Sequence, residues 1–439
     1  KFISACKIIE KNRNNGLFLK NISYFCIVKH LENKSKTLLV ILILLIFRGI
    51  APIWAQYEAF PINAVNDTVG LSYDPMDSVE VSLLTCSPHE EIYSLYGHSA
   101  IRWHNLCQQG PDTGAKDWVF NWGLFDFRKP YFVLRFVFGL TDYELGTFPY
   151  DYFWPYYKEY GSSVIEQVLN LTNEEKRHLK DILEDNLKPE NKVYRYNYFY
   201  DNCSTRPRDV IEKCINGNIK YAQREDYSPS YRDMVHTCVR NHPWAAFGND
   251  MLLGVKADMK TTLREQEFLP ENLMYDFDRA QIYSSGDYRP LVKERRILVP
   301  PGVQIIEQDF PLSPMVCAYL FLLCSLIIVA LEWKRKRTFK YWDALLMLLQ
   351  GLAGCVLFVM LFSQHPTTST NLQILLLNPI ALFFIPVVIR RRPTHWWKVL
   401  LTMATLFLLG SFFQQYAEGM LIVALCLLLR VHINLKYKA

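Results

Sequence analysis

The sequence lacks several features by which common classes of protein are recognised. It has no internal repeat, no low-complexity tract, and no cysteine or histidine spacing typical of a zinc site. Residues 56–313 carry 27 Lys and Arg against 38 Asp and Glu, so this long middle segment has no basic excess. Because a nucleic-acid-binding domain needs a basic face against phosphate, we expect no nucleic acid partner. A chain with 50% hydrophobic and 21% charged residues is also unlike a disordered protein.

The N-terminal part of the chain is basic and contains a short apolar run. Residues 1–55 have a net charge of +7, and residues 38–47 are ten consecutive apolar residues preceded by lysines. A basic region, a short apolar core and a small residue at its end are typical of a secretory signal peptide, here cleaved after Ala55. An uncleaved anchor extending to Trp54 is the alternative. Ten residues are few for the ~30 Å hydrocarbon core, so we interpret residues 1–55 as an N-terminal extension and signal peptide.

Five apolar stretches follow one another near the C-terminus, each close to the ~20 residues that a membrane-spanning helix needs. They cover residues 314–333, 341–362, 372–389, 396–413 and about 416–431. Lys and Arg cluster in or beside the first and third connectors and from Arg430 onwards, and the other two connectors have none. The positive-inside rule makes the basic side cytoplasmic. We therefore predict five transmembrane helices in residues 314–439 and an extracytoplasmic domain in residues 56–313.

The extracytoplasmic segment has the mixed pattern of an α+β domain. Alternation and apolar runs predict strands at residues 78–86, 98–104, 117–123 and 194–200. Thr172 and Glu175 have the spacing of a capping box, which predicts a helix that ends near Leu187. Ser204 or Thr205 can cap a further helix with Pro207 in its first turn.

Cys203 is predicted at the point where a strand ends and a helix begins. A helix N-terminus offers unpaired N–H groups and partial positive charge, which stabilise a thiolate and an oxyanion. His98 follows Gly97 at the head of a strand and is the candidate base. Asn121, in the next predicted strand, could orient the imidazole. These three residues are the candidate catalytic site.

Structural roles for the same residues stay open at this point. Cysteine is among the most buried residue types, and Cys203 could form a disulfide with Cys214 or Cys86. His98 could be a hydrogen-bonded core histidine, and Asn121 a structural amide. The extracytoplasmic segment has five cysteines, so at least one is expected to be unpaired in an oxidising compartment.

Several segments resemble the Lnb N-terminal periplasmic domain family. They are residues 83–88, 93–102, 120–127 and 198–209, with a further similar stretch at 252–270. The Gly97-His98 pair and the Asp201-Asn202-Cys203 run are the specific elements. The likeness covers most of residues 75–285, and the apolar C-terminal part matches the family's usual layout.

The resemblance implies both a fold and an activity. The family resembles circularly permuted papain-like (NlpC/P60-like) enzymes, in which the histidine precedes the cysteine, so it implies His98 as base and Cys203 as nucleophile. Members are associated with lipoprotein N-acyltransfer in bacteria. This implies a multi-pass inner-membrane acyltransferase with its catalytic domain in the periplasm, a phospholipid acyl donor and diacylated lipoproteins as acceptors. Because conversion of a thioester into an amide is downhill, we expect no cofactor and no metal.

Three other functions are compatible with the pattern. The first is a periplasmic cysteine amidase or peptidase of the same fold, and the second is a phospholipase, in which water replaces the amine. The third is a non-enzymatic membrane receptor or scaffold, with Cys203 in a disulfide.

Overall fold

The computed structural model of the protein describes residues 74–437 with seven short gaps. The gaps are residues 90–93, 108–115, 126–129, 132–134, 136–137, 224–227 and 305–309. The described residues belong to one compact unit, Ala59–Ala439. The signal-peptide prediction for residues 1–55 lies outside the described residues.

Two antiparallel sheets organise the N-terminal half of the described chain. The strands are β1 Val79–Cys86, β2 His98–Asn105, β3 Asp117–Leu124, β4 Asp142–Pro149, β5 Val164–Leu169, β6 Val193–Arg195, β7 Asn218–Lys220, β8 Gln281–Ser284, β9 Asp287–Pro290 and β10 Val292–Val299. The larger sheet has seven strands in the order β10-β5-β1-β2-β3-β4-β6, and the smaller has the order β7-β8-β9. The first three predicted strands are thus confirmed, with ends that differ by one residue.

Helices cover both faces of the larger sheet. They are α1 Tyr150–Glu159, α2 Asn173–Leu187, α3 Thr205–Cys214, α4 Tyr231–Cys238, α5 Pro243–Leu252, α6 Leu263–Gln266 and α7 Pro270–Arg279. Because side chains alternate along a strand, Leu83 and Ile101 pack towards α2, α3 and α7. Leu84 and Ala100 pack on the other face, against α1. The predicted α+β domain is therefore present as a mixed α/β sandwich around one sheet.

The capping box at α2 forms as predicted. The Thr172 hydroxyl accepts a hydrogen bond from the Glu175 amide at 3.2 Å, and the Glu175 carboxylate accepts one from the Thr172 amide at 2.8 Å. The helix runs from Asn173 to Leu187, where the sequence placed its end.

The fourth predicted strand, residues 194–200, is wrong beyond Arg195. The chain leaves the sheet there and closes a turn in which the Asp201 amide donates to the Asn197 carbonyl at 2.9 Å. Phe199 is buried, but in a second core cluster formed with α4 and with Phe268. The alternation of aromatic and polar residues beyond Arg195 therefore reflects packing beside the sheet and not strand geometry.

Five helical segments follow in the C-terminal part. They are α8 Pro314–Arg335, α9 Lys340–Met360, α10 Ile380–Ile389 with a preceding 3₁₀ turn Leu372–Leu375, α11 Trp396–Gly410 and α12 Met420–Lys436. Three described segments, Pro314–Arg335, Lys340–Met360 and Leu372–Ile389, are long and apolar enough to cross a membrane. Trp396–Gly410 is a shorter apolar helix.

Arg430, which the sequence placed at the end of the last apolar stretch, lies inside α12. Its side chain is buried, forms an ion pair with Glu332 and binds Asp343 at 2.7 Å. Asn434 donates to the same Asp343 carboxylate at 3.1 Å. A charge buried among apolar helices is tolerated only when it is paired, and this cluster joins α8, α9 and α12.

Polar side chains of the C-terminal part hold the last turn of α5 and the segment that follows it. The Gln373 amide group donates to the Asp250 carbonyl at 2.8 Å, and that of Gln414 donates to the Leu253 carbonyl at 3.0 Å. Backbone bonds add to these: the Gly254 amide donates to the Thr367 carbonyl at 2.8 Å. The N-terminal domain is therefore fixed to the loops at one end of the helices.

We predict that Gly254→Ala weakens this attachment. A Cβ at Gly254 would lie 2.2 Å from the Thr370 carbonyl oxygen, which is backbone and cannot move aside alone. Forced overpacking of this kind costs about 1–3 kcal/mol. Thermal unfolding in detergent should therefore begin at a lower temperature, and limited proteolysis between the two parts should become faster. Gly248→Ala is the control, because no atom lies within 4 Å of its added Cβ. Equal melting temperatures for the two variants would contradict the prediction.

Candidate active site

His98 occupies the first position of β2, at the end of the sheet. Gly97, directly before it, has a φ of +74°, and a Cβ there would lie 2.7 Å from the Cys86 carbonyl oxygen. Only glycine combines this conformation with such a close approach. It lets β2 begin with His98 directly opposite Cys86 of β1.

Asn121 reaches His98 from the neighbouring strand. The two residues lie on the same face of the sheet, the face of Ala100 and Val119. The Asn121 Oδ1 atom is 2.6 Å from His98 Nε2. Because an amide oxygen only accepts hydrogen bonds, this contact assigns a proton to Nε2 and leaves Nδ1 for another partner.

Cys203 lies in the turn that leads into α3. The Asn202 side-chain oxygen accepts hydrogen bonds from the amides of Ser204 at 2.9 Å and Thr205 at 3.0 Å. The Asn202 amide group donates to the Phe268 carbonyl at 2.8 Å, which fixes the turn to the second core cluster. Ser204 is the N-cap residue of α3, one of the two predicted, but its hydroxyl makes no capping hydrogen bond. It lies 3.1 Å from the Ser99 hydroxyl, and the Asn202 side chain binds the first amides of the helix in its place.

The Cys203 thiol and the His98 imidazole form a hydrogen-bonded pair. Burial opposes a thiolate at Cys203, but the charge and hydrogen bond of His98, the Ser99 amide and the Ser204 hydroxyl together hold the pKa of Cys203 below its ordinary value. Burial likewise opposes an imidazolium at His98, yet Cys203 and Asn121 raise the pKa of His98. The two shifts favour a thiolate next to an imidazolium.

A second histidine nearby has the opposite shift. Burial, with a contribution from the charge of His98, lowers the pKa of His89 to about 4. Its ring stacks on Tyr160, with centroids 4.6 Å apart, and its Nδ1 lies 2.9 Å from the Ser94 hydroxyl. His89 is therefore neutral near pH 7, and His98 is the histidine suited to exchange a proton with Cys203. The sequence contains no periodic signal that would have identified His89.

Four cysteines of the N-terminal domain, Cys86, Cys203, Cys214 and Cys238, are free thiols. The prediction that at least one cysteine of this domain is unpaired is thus confirmed. Neither of the considered disulfides of Cys203 is formed. Burial raises the pKa of Cys214 to about 12 and also raises that of Cys86, so the environment of Cys203 differs from theirs.

A glycine, Gly123, lies beside the Cys203–His98 pair. Cβ added to Gly123 would lie 3.8 Å from Cys203 Cβ and 4.0 Å from His98 Cε1, so this glycine leaves room beside the pair. Within the described ranges, no group of three or more His, Cys, Asp or Glu could hold a metal ion.

Sequence reasoning missed the groups that complete the site. Ser99 and Ser204 directly follow His98 and Cys203 in the chain, but only the approach of α3 to β2 shows that both contact the sulfur. Burial, with a contribution from the charge of Cys203, also raises the pKa values of four tyrosines, Tyr143, Tyr157, Tyr194 and Tyr196. The alternating spacing of Tyr194 and Tyr196 predicted a strand and gave no indication of this effect.

The fold and the site define a membrane protein whose mixed α/β domain carries a Cys–His–Asn cluster. Residues 68–240 match the family model of the Lnb N-terminal periplasmic domain, and residues 305–439 match that of the Lnb transmembrane domain. The two matches together span more than two-thirds of the chain, and the chain belongs to the Lnb family. It is thus an Lnb-type membrane protein with an N-terminal periplasmic domain and a C-terminal membrane domain. No curated protein and no solved structure matches it.

We predict that Cys203 is alkylated by iodoacetamide at a pH well below the ~8.5 at which an ordinary thiol titrates. His98→Ala removes the imidazolium, so the pKa of Cys203 rises and less thiolate is present near pH 6.5. Alkylation of Cys203 at this pH should slow at least ~10-fold, and the rates should converge above pH 10. Peptide mass spectrometry distinguishes Cys203 from the exposed Cys107. If His98→Ala leaves the alkylation rate of Cys203 at pH 6.5 unchanged, His98 does not lower the pKa of Cys203.

We also predict that Asn121→Ala lowers the pKa of His98, because the imidazolium loses its acceptor at Nε2. NMR titration of the histidine ring measures this directly. Asn121→Asp is the opposite control: a carboxylate at the same position should raise the pKa. If the pKa of His98 is the same in the parent protein and in both variants, Asn121 neither orients the His98 ring nor stabilises its charged form.

Proposed function

We propose that this protein is a lipoprotein N-acyltransferase of the bacterial inner membrane. It would move an acyl chain from a phospholipid, through a thioester on Cys203, to the α-amino group of a diacylglyceryl-cysteine at a lipoprotein's N-terminus. The observation that carries the proposal is the Cys203–His98–Asn121 cluster in a domain fixed to apolar helices. Membership of the Lnb family supports it.

The first half of the reaction forms the thioester. The Cys203 thiolate attacks an ester carbonyl carbon of the phospholipid, and the carbonyl π electrons move to the oxygen. When the tetrahedral intermediate collapses, the carbon–oxygen bond to the glycerol breaks. The leaving alkoxide takes the proton of the His98 imidazolium, and lysophospholipid departs.

The second half transfers the acyl group to the amine. The neutral α-amino group of the lipoprotein attacks the thioester carbon, His98 takes its proton, and the carbon–sulfur bond breaks to restore the thiolate. Both substrates are confined to the membrane, so an active site held at its surface gains from proximity. The step from thioester to amide is downhill and needs neither a nucleotide nor a metal.

The proposal includes a chain organisation. Residues 1–55 form the N-terminal extension and signal peptide, residues 56–313 the periplasmic catalytic domain, and residues 314–439 a bundle of five transmembrane helices. The catalytic domain would be a permuted papain-like (NlpC/P60-like) fold. The arrangement of the cluster supports this fold. The cysteine directly precedes a helix, the histidine lies on a strand earlier in the chain, and an asparagine side-chain oxygen contacts the imidazole.

The free thiol of Cys203 counts against the scaffold function, which would place it in a disulfide. A periplasmic amidase or peptidase and a phospholipase would use the same Cys203 and His98, with water as the acceptor. Radiolabelled phospholipid, supplied with and without an acceptor lipoprotein, distinguishes the proposed acyltransferase from these hydrolases. The label moves to the lipoprotein if the protein is a transferase, and it is released as free fatty acid if the protein is a phospholipase.

We predict that the protein restores lipoprotein triacylation in a bacterium depleted of its own N-acyltransferase. Mass spectrometry of a lipoprotein's N-terminal peptide measures the acylation state. Cys203→Ala and His98→Ala should abolish it, since one removes the nucleophile and the other its base. Cys107→Ala is the matched control, because this cysteine is exposed and outside the site. If the Cys203→Ala variant still supports triacylation, Cys203 is not the nucleophile. If the parent protein is well expressed and no lipoprotein is triacylated, the protein is not an N-acyltransferase.

A further inference from the structure

We propose that Asn202 is a positioning residue that aims the Cys203 thiol at the His98 imidazole. It acts through the turn that carries Cys203, and it neither forms a bond nor moves a proton in the reaction. This rests on the proposed role of Cys203 as nucleophile. It gives the Asn202 side chain a task in the reaction beyond capping α3.

The oxygen of the Asn202 side chain holds the chain that follows Cys203. It accepts hydrogen bonds from the amides of Ser204 at 2.9 Å and Thr205 at 3.0 Å. In the other direction, the backbone amide of Asn202 donates to the Thr205 hydroxyl at 2.8 Å. Cys203 therefore lies inside a closed ring of hydrogen bonds, and its backbone can rotate only if one of them breaks.

The nitrogen of the same side chain holds the turn to the second core cluster. It donates to the Phe268 carbonyl at 2.8 Å and to the Tyr198 carbonyl at 3.0 Å. The Phe268 ring is buried in that cluster, and Tyr198 packs against it. Both N–H groups and both lone pairs of the Asn202 amide are then used, and the residue is only 4% exposed. A buried polar group with all its hydrogen bonds made is held rigidly.

The nitrogen contacts require an amide at position 202. A helix cap needs only an acceptor, and Ser or Asp serves in that role about as well as Asn. Neither of them has two N–H groups for the Phe268 and Tyr198 carbonyls. The donating half of Asn202 therefore does something other than cap α3: it fixes the position of the Cys203 turn relative to the rest of the domain.

The supports of the nucleophile and of the base meet at Tyr198. Its ring lies edge-to-face against that of Tyr96, with centroids 5.1 Å apart, and Tyr96 is two residues before His98 in the chain. Directly after the two reacting residues, the Ser204 hydroxyl lies 3.1 Å from the Ser99 hydroxyl. The turn that carries the nucleophile is thus joined twice to the segment that carries the base.

Loss of the Asn202 contacts would weaken the pairing of thiolate and imidazolium. Burial opposes the Cys203 thiolate, and the charge of His98 is the largest of the influences that hold the pKa of Cys203 below its ordinary value. That influence depends on the distance between the two groups, and a displacement of about 1 Å in an active site can lower a rate about 10²-fold. Without its anchor, the sulfur keeps its burial but has a weaker partner, so less thiolate is present near neutral pH.

The test compares Asn202→Ser with Thr172→Ala in the full-length protein. Serine keeps an acceptor for the α3 amides and removes both donors, whereas Thr172→Ala removes the cap of a different helix, α2. Iodoacetamide alkylation of Cys203 is followed by peptide mass spectrometry from about pH 5 to about pH 10. Near pH 6.5 we expect Asn202→Ser to slow it about 10-fold, with rates that converge at the highest pH, and Thr172→Ala to leave it unchanged. Both variants should melt at a lower temperature than the parent protein.

Asn202→Asp is a second variant for the case that the serine variant does not fold. Aspartate has the size of asparagine, keeps the acceptor and loses both donors, so alkylation of Cys203 near pH 6.5 should slow in this variant as well.

The outcomes separate this inference from the proposed function. If either folded variant of Asn202 is alkylated like the parent protein, Asn202 is only a helix cap and the inference is wrong. Equal slowing by Thr172→Ala would overturn it too, because a general loss of stability would then explain the effect. If the parent protein does not N-acylate lipoproteins but alkylation of Cys203 still depends on Asn202, the function fails and the positioning role stands.

Discussion

The half-buried pair of Cys203 and His98, whose shifted pKa values favour a thiolate next to an imidazolium, makes the strongest demand on this structure. Taking two charges out of water costs several kcal/mol per ion unless other groups compensate. Asn121 compensates at the imidazole, and the Ser99 amide and Ser204 hydroxyl do so at the sulfur. Each comes from a different element, so the site exists only while β2, β3 and the start of α3 keep their places.

The attachment to the apolar helices extends this constraint to the whole described chain. The turn before α3 is tied through Asn202 to Phe268, in the cluster that also contains Leu253. The segment around Leu253 is in turn held by Gln373 and Gln414 of the helical part. A continuous set of packed elements thus links the sulfur to the membrane domain. For the proposed reaction, in which both substrates are lipids, a fixed position of the sulfur relative to the membrane matters as much as its chemistry.

Local patterns predicted correctly the strands that carry His98 and Asn121, and the errors made elsewhere have a common cause. Period-two alternation placed His98 and Asn121 on strands, and the structure puts them on one face in contact. The same alternation wrongly extended a strand through Phe199, whose ring packs in another core. Ser204 has the right type and position for a helix cap, but Asn202 fulfils that role because Ser99 takes the Ser204 hydroxyl. In each case a long-range contact displaced a local preference.

The sequence by itself determined the order of the parts and the residue types of the site. Hydrophobic periodicity, capping spacing and the distribution of Lys and Arg are local properties that need no partner to be recognised. Tertiary structure alone decided that Ser99 meets Ser204 beside Cys203, and that Arg430 is buried between Glu332 and Asp343. These contacts join residues from 87 to 105 positions apart in the chain, as from Asp343 to Arg430 and from Ser99 to Ser204. Which distant side chains meet is determined by how the sheet and helices pack, and no spacing in the sequence encodes that.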